Sequence, residues 1–229
     1  MDDEQRKLYE ALAQELRESI GRQSASEVGR SKMQILAGLM RLRQVCCDPR
    51  LVFDEYEGPS AKLEAIMEIV EQVVDARQKM LLFSQFTSYL DIIAQELDRR
   101  GVGYLTITGQ TPKRRRIELV DKFNSDDTPV FLISLKAGGT GLNLTGANIV
   151  LHADPWWNAA AQNQATDRAH RIGQTKEVCV YKVICENTLE ERILDMQDAK
   201  SALADEVVGQ GAGSALGSLS REDLLELLE

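Results

Sequence analysis

Apolar residues recur at helical spacing over residues 3 to 20, with Leu8, Leu12 and Leu16 on one face, and again over 32 to 46, with Ile35, Leu36, Leu39, Met40 and Leu42. A stripe at that spacing is what an amphipathic helix turns toward a core. GRQSASEVG between these segments and DPRLVFDEYEGPS after them carry the Gly, Pro and Ser of connections. From Ser60 the pattern alternates. The spacing predicts helices over 60–77, 86–100, 112–124, 158–171 and about 188–207, interleaved with the short apolar runs KMLLF, YLTI, VFLI, NIVLH and VCVYKVI. Such runs between helices predict βαβ units and an α/β fold, a parallel sheet with helices on both faces. GQGAGSALGS reads as a flexible linker, and LSREDLLELLE as a short end helix with Ser220 as its N-cap. The expected organisation is a helical segment over 1–58, the α/β domain over 59–186 and an acidic helical tail over 187–229.

The 229 residues, 43% of them hydrophobic, suit one sizeable domain with appendages. No apolar run approaches the roughly 20 residues of a membrane-spanning helix, and the start MDDEQRKLYE is charged where a secretory signal is apolar. A membrane partner is not expected, and a reducing compartment is. Cys46 and Cys47 are adjacent while five residues separate Cys179 from Cys185, which matches neither a zinc spacing nor a disulfide framework, so buried free thiols and no metal site are expected. The net charge of -9 resides mostly in the tail, where residues 186–229 hold eleven Asp or Glu against three Lys or Arg. The body is close to neutral and is able to carry a basic face.

Ligands of an open parallel sheet bind beyond the carboxyl ends of its strands. Those ends are followed here by Ser84 and Gln85, by the polar residues Thr108, Gly109, Gln110 and Thr111, by SLKAGGTGLNLTG and by ADPWWN. SLKAGGTG at 134–141 lets the backbone approach a phosphate, since glycine removes Cβ; a tight strand-to-helix turn is the lesser alternative. A nucleotide cradle of the G-x-x-x-x-G-K-[ST] kind is excluded, because the chain contains no Gly-Lys pair. LVFDE at 51–55 mimics an apolar strand ending in a magnesium-binding acid pair, but its apolar run is short, Pro49 precedes it and no phosphate loop exists. PKRRR at 112–116 sets four cations at a helix start, where the macrodipole disfavours them. Phosphate contacts or a solvated charge run both account for that. In DRAHRIGQT, Arg168 and Arg171 share a helix face near its C-terminus, suited either to an anion or to the dipole and an ion pair with Asp167.

FSQF, GQTPKRRRIELVDKFN, FLISLKAGGTGLNLTGANIVLHADPWWN and QATDRAHRIGQTKEV, in this order, resemble the second RecA-like lobe of the Swi/Snf family of helicase-like DNA translocases. The resemblance covers most of residues 33 to 195. It implies an ATP-dependent translocase on double-stranded DNA, with ATP and Mg held mainly by a first RecA-like lobe that supplies the phosphate loop. By the same mapping Arg168 and Arg171 are arginine fingers, and with Gly141 and Asn143 they face the nucleotide. Ser84, Gln85, Gly109, Thr111, Arg116, Ser134, Lys136, Gly138 and Gly139 fall where the family touches the DNA backbone. Trp156, Trp157, Asn158 and Gln164 match positions expected to couple the two surfaces. Residues 1–58 correspond to the segment leading from the first lobe, and the tail to a bracing helix. Thr108 stands where the family commonly has Asp, Asp48 where it has His, and AAAQ at 159–162 where PAVE is common. The implied whole is a fragment inactive by itself, monomeric, cytoplasmic in a bacterium or nuclear in a eukaryote. A stand-alone binding module for nucleic acid or protein, and a DEAD-box-like RNA helicase lobe, are the competing readings.

Overall fold

The computed structural model describes residues 1–138, 143–167, 169, 177–206 and 220–228. Two compact units divide the chain: Met1–Lys62 together with Ile184–Glu229, and Leu63–Val183.

In the first unit α1 (Asp3–Gly21) begins where the Asp2 carboxylate accepts the free N–H groups of Glu4 and Gln5, at 2.9 and 3.0 Å. The second helix, α2, runs over Ala25–Cys47, seven residues earlier at its start than the apolar stripe predicts. The cause is a capping box within the presumed connection: Glu27 accepts the backbone N–H of Ser24 at 2.8 Å and its hydroxyl at 2.7 Å. The α1 and α2 helices pack closely because Gly38 has no side chain; a Cβ there would lie 2.8 Å from Leu16 Cδ1. A 3₁₀ turn at Pro49–Leu51 follows, with the buried Asp48 accepting from Arg50 N, Nε and Nη2.

The helices α8 (Leu189–Glu206) and α9 (Arg221–Glu226) complete this unit. Ser220 caps α9 as expected, exchanging hydrogen bonds with Asp223. Arg221 in turn donates to the carbonyls of Gly21 and Gln23 at the end of α1, at 2.9 and 3.0 Å. Such cations satisfy the orphan carbonyls of a helix C-terminus. Deeper in the unit, Lys62 and Glu190 form an ion pair at 2.5 Å with side chains 1% and 0% exposed. The same Glu190 oxygen accepts the Cys185 N–H at 2.9 Å, and Tyr9 Oη accepts the Leu189 N–H at 2.7 Å.

The second unit contains most of α3 (Ala61–Asp75) and a sheet of five parallel strands. Its elements are β1 (Met80–Ser84), α4 (Thr87–Arg99), β2 (Tyr104–Ile107), α5 (Lys113–Ser125), β3 (Val130–Ser134), α6 (Leu135–Gly138), β4 (Ile149–His152), α7 (Ala159–Thr166) and β5 (Cys179–Lys182). The expected α/β alternation is therefore present, and the spatial order is β2-β3-β1-β4-β5. Residues on alternate positions of a strand point to opposite faces. Leu81, Phe83, Phe131, Ile133 and Val150 join Leu119, Val120 and Phe123 of α5 in one buried cluster. Of the opposite set, Met80, Leu82, Leu132 and Leu151 are fully buried.

The run VCVYKVI forms the expected strand, but its Cys179 departs from the expected buried thiols. As β5 it lies at the sheet edge and all four of its residues are exposed, Cys179 among them, while Cys46, Cys47 and Cys185 are buried free thiols. An edge position leaves a strand without the cover that central strands receive. Helix α7 is described as helical to Thr166, whereas Arg168 and residues 170–176 lie outside the described residues.

Because the Lys62–Glu190 pair is shut off from water, removing one partner leaves an uncompensated charge. Lys62→Met is expected to lower the unfolding free energy by about 3–5 kcal/mol, and Lys62→Met combined with Glu190→Leu by much less, in urea titrations.

Candidate functional site

Strand order fixes where a ligand crevice opens. The chain leaves β1 toward β2 on one side and leaves β4 toward β5 on the other, so the carboxyl ends of β1 and β4 flank the topological switch point. Here the buried carboxylate of Asp154 joins the two ends. Its Oδ2 accepts the Ser84 hydroxyl at 2.5 Å and the Gln85 N–H at 3.2 Å. Ser84 Oγ also accepts the Phe86 N–H at 3.1 Å, which sets the turn into α4. The Ser84 side chain is thus buried and directed inward; at this position Gln85, half-buried, is the residue nearer to solvent. Ser134, level with Ser84 on β3, is buried and its Oγ has no partner among the described residues.

The β2 end is shaped by Arg116. Its Nε donates to the Thr111 carbonyl at 2.7 Å, and its Nη2 to the carbonyls of Gly109 and Thr108 at 3.0 and 3.2 Å. Thr111 Oγ1 accepts the Thr108 N–H at 3.0 Å. The guanidinium therefore holds the 108–111 turn by its carbonyls while keeping its positive charge at the rim. This gives a reason for one of the four cations at the start of α5; Arg114 and Arg115 pair instead with Glu118, at 3.2 and 3.1 Å. Gly109 faces open space.

Past β3, Lys136 and Gly138 sit in the short α6, and Gly139 and Gly141 lie outside the described residues. The far side of that loop is fastened by Asn124, whose Nδ2 donates to the Asn143 carbonyl at 2.9 Å and whose Oδ1 accepts the Gly146 N–H at 3.0 Å. A side chain at Gly146 would displace Asn124, since a Cβ would come 2.9 Å from its Oδ1 and 3.2 Å from its Cα. Asn143 itself is exposed.

The β4 end carries Trp156, Trp157 and Asn158, all half-buried, with Trp156 packed on the sheet core. The Trp156 N–H donates to Gln162 Oε1 at 3.1 Å, linking this turn to the first turns of α7. Gln164 is exposed on α7. Gln162 lies in the AAAQ segment, where the sequence shows only a departure from a family pattern; its buried amide turns out to join two parts of the rim. His152 is a second link. Its Nε2 lies 2.9 Å from Thr166 Oγ1, whose hydroxyl is 3.3 Å from the Gln162 carbonyl. With the hydroxyl proton directed to that carbonyl, Nε2 carries the imidazole proton and Nδ1 is a bare lone pair without a partner among the described residues.

Burial, reinforced by Lys182 opposite it on β5, pushes the His152 imidazole down to about 4. An unfolded histidine titrates near 6.5, so between pH 6.5 and 4 the unfolded chain binds the extra proton. The stability contribution is fully present above pH 6.5 and is lost as pH falls toward 4, by roughly 3 kcal/mol. His152→Gln is expected to flatten this part of the stability profile, measured by urea midpoints from pH 7 to 4. Parallel profiles for the two proteins would remove the assignment.

Among the described residues no helix is long and apolar enough to cross a membrane. The helicase conserved C-terminal domain family matches residues 61–173. The chain is 40% identical, over 87% of its length and 19% of the relative's, to an uncharacterized ATP-dependent helicase of Mycoplasma pneumoniae. It spans about a fifth to a quarter of the curated relatives it matches, 19%, 22% and 24% for three of them. The SWI2/SNF2 ATPase C-terminal domain of Sulfolobus solfataricus superposes with a TM-score of 0.79 at 29% identity, covering 100% of this chain and 94% of that one. The SWI2/SNF2 ATPase core of the same organism, solved in complex with dsDNA, gives 0.80 at 32% identity, covering 100% of this chain and 48% of that one. With a five-stranded parallel sheet of RecA-like type beneath the same motifs, the chain belongs to the Swi/Snf helicase-like family, as a C-terminal RecA-like lobe.

Proposed function

We propose that this chain works as the second lobe of an ATP-dependent translocase on double-stranded DNA. The observation that carries the reading is the strand-end rim: Asp154 ties the β1 and β4 ends at the switch point, and Gln162 and His152 tie the β4 end to α7, the helix that precedes Arg168 and Arg171 in the sequence. A rim held in this way can relate a nucleic-acid surface to a nucleotide surface mechanically. The names of relatives support it, since several are called ATP-dependent helicases and a structural neighbour was solved with dsDNA.

The residues present fit a share of an ATP site. Arg168, Arg171, Gly141 and Asn143 supply cations and a glycine-rich turn, while the sequence lacks the Gly-Lys pair of a phosphate loop. Among the described residues the one cluster of Cys and Glu close enough for a metal is buried beside the Lys62 ammonium, which disfavours Mg there. ATP and Mg therefore belong mainly to a first RecA-like lobe, and bound ATP supplies the phosphoryl transfer that drives stepping. Arg168 and Arg171 neutralise charge on the transferring group. On the DNA side, Gln85, Thr111, Ser134, Lys136 and the backbone near Gly109, Gly138 and Gly139 contact phosphates, while Ser84 and Arg116 hold those loops in place. Contacts of this sort position a duplex without reading its sequence. Trp156, Trp157, Asn158 and Gln164 couple the two surfaces, residues 1–58 lead from the first lobe, and the tail braces it.

With a matching first lobe present, DNA-stimulated ATP hydrolysis is expected, and Arg171→Ala is expected to lower turnover by at least ~10²-fold while ATP still binds. Equal turnover in that variant removes the finger assignment. Stimulation by duplex RNA equal to that by duplex DNA transfers the chain to the RNA helicase reading.

Lys136→Gln is expected to weaken duplex binding at low salt and to reduce the slope of log affinity against log salt by about 1. Fluorescence anisotropy over a salt series measures this. An unchanged slope removes Lys136 from the interface.

A further inference from the structure

Among the described residues, a cluster of reactive side chains lies in the unit formed by Met1–Lys62 and Ile184–Glu229. The thiols of Cys46 and Cys185 and a carboxylate oxygen of Glu190 lie within 4.8 Å of one another, all buried. Cys185 Sγ donates to the Cys46 carbonyl at 3.3 Å, although the two residues stand 139 apart in sequence. Lys62 Nζ sits 2.5 Å from one Glu190 oxygen, and the other, Oε1, has no hydrogen-bond partner among the described residues. A divalent ion is a poor occupant, because the ammonium already provides the local positive charge. A pair of close thiols beside a buried cation and a free carboxylate oxygen suits thiol oxidation instead.

We propose that Cys46 and Cys185 are an oxidative modification site, converted by a peroxide into a disulfide that ties the end of α2 to the segment leading into α8. The nearest opening is a cavity of about 550 Å³ in the same unit, whose wall includes Tyr9, Thr188 and Leu189 but neither thiol. Tyr9 and Leu189 are joined by a hydrogen bond, and Thr188 Oγ1 donates to the Cys185 carbonyl at 2.7 Å, so the thiols lie just behind that wall. A peroxide is little larger than water.

The two thiols are unlike. The hydrogen bond from Cys46 and the Lys62 ammonium draw the Cys185 thiol down, while burial pushes the Cys46 thiol well up. Cys185 is thus the attacking sulfur and Cys46 the resolving one. Cys185 Sγ attacks one peroxide oxygen, the O–O bond breaks, and the other oxygen leaves as water with the thiol proton, relayed by Glu190 Oε1; Cys185 becomes a sulfenic acid. Cys46 Sγ then attacks that sulfur, the S–O bond breaks, a second water leaves with the Cys46 proton, and the S–S bond forms. Two electrons pass from the thiols to one peroxide.

The experiment uses the whole 229-residue chain carrying Cys47→Ser and Cys179→Ser, which keeps Cys46 and Cys185 alone. It is treated with hydrogen peroxide, blocked with N-ethylmaleimide and weighed. The expected result is loss of both alkylatable thiols together and a peptide bearing Cys46 linked to one bearing Cys185. With Cys46→Ser added, oxidation is expected to stop at a Cys185 sulfenic acid, trapped by dimedone. Two thiols that remain fully alkylatable in the folded chain, at a dose that oxidises the urea-unfolded chain, overturn the proposal. The linked peptide is also sought in the unsubstituted chain, so that a variant failing to fold leaves a decisive measurement. Its absence there, or linkage of Cys185 to Cys47, overturns the assignment.

Discussion

One buried carboxylate holds the candidate site together. Parallel strands end side by side with their loops leaving in divergent directions, which opens a crevice at the switch point and leaves polar turn atoms without partners. Asp154 answers both needs, because it accepts from the Ser84 hydroxyl and the Gln85 N–H on one strand end while standing on the other. In this dry position those hydrogen bonds resist exchange with water. The rim becomes a rigid edge from which loops can reach a ligand.

The neighbouring attachments follow the same logic. Arg116 gathers three carbonyls of the β2 turn, Asn124 grips both sides of the residues at 143 and 146, and Gln162 fixes the Trp156 backbone. Each is a side chain satisfying backbone groups that the loop cannot satisfy itself. Together they separate two kinds of residue at the rim: those that shape it, such as Ser84, Arg116 and Asp154, and those left exposed, such as Asn143. A residue placed by resemblance at a ligand surface can belong to either kind, and burial and hydrogen bonding sort them.

The other unit is organised around a different constraint, the shielded pairing of Lys62 with Glu190. The charges come from chain segments 128 residues apart and are complemented by the Cys185 N–H. A buried pair of this kind contributes little net stability against an apolar substitute but penalises any arrangement that leaves one charge alone. It thereby ties α8 to Lys62 within this unit, where the thiols of Cys46 and Cys185 also meet.

Local information was enough for much of this protein. Apolar spacing located the helices and strands, the Ser220 cap was readable from S-x-x-D, and the order of GGTGLNL and DRAHRIGQ identified the family, because turns, caps and periodicities depend on residues a few positions apart. The early start of α2 was also present in the Ser24 and Glu27 spacing, though masked by the Gly and Ser around it. Tertiary structure decided the rest. That Ser84 points inward, that Arg116 is spent on carbonyls, that VCVYKVI is an exposed edge and that Cys46 meets Cys185 all depend on which strand lies beside which and on partners far away in the chain. Periodicity reports the face a residue occupies; only packing reports what that face meets.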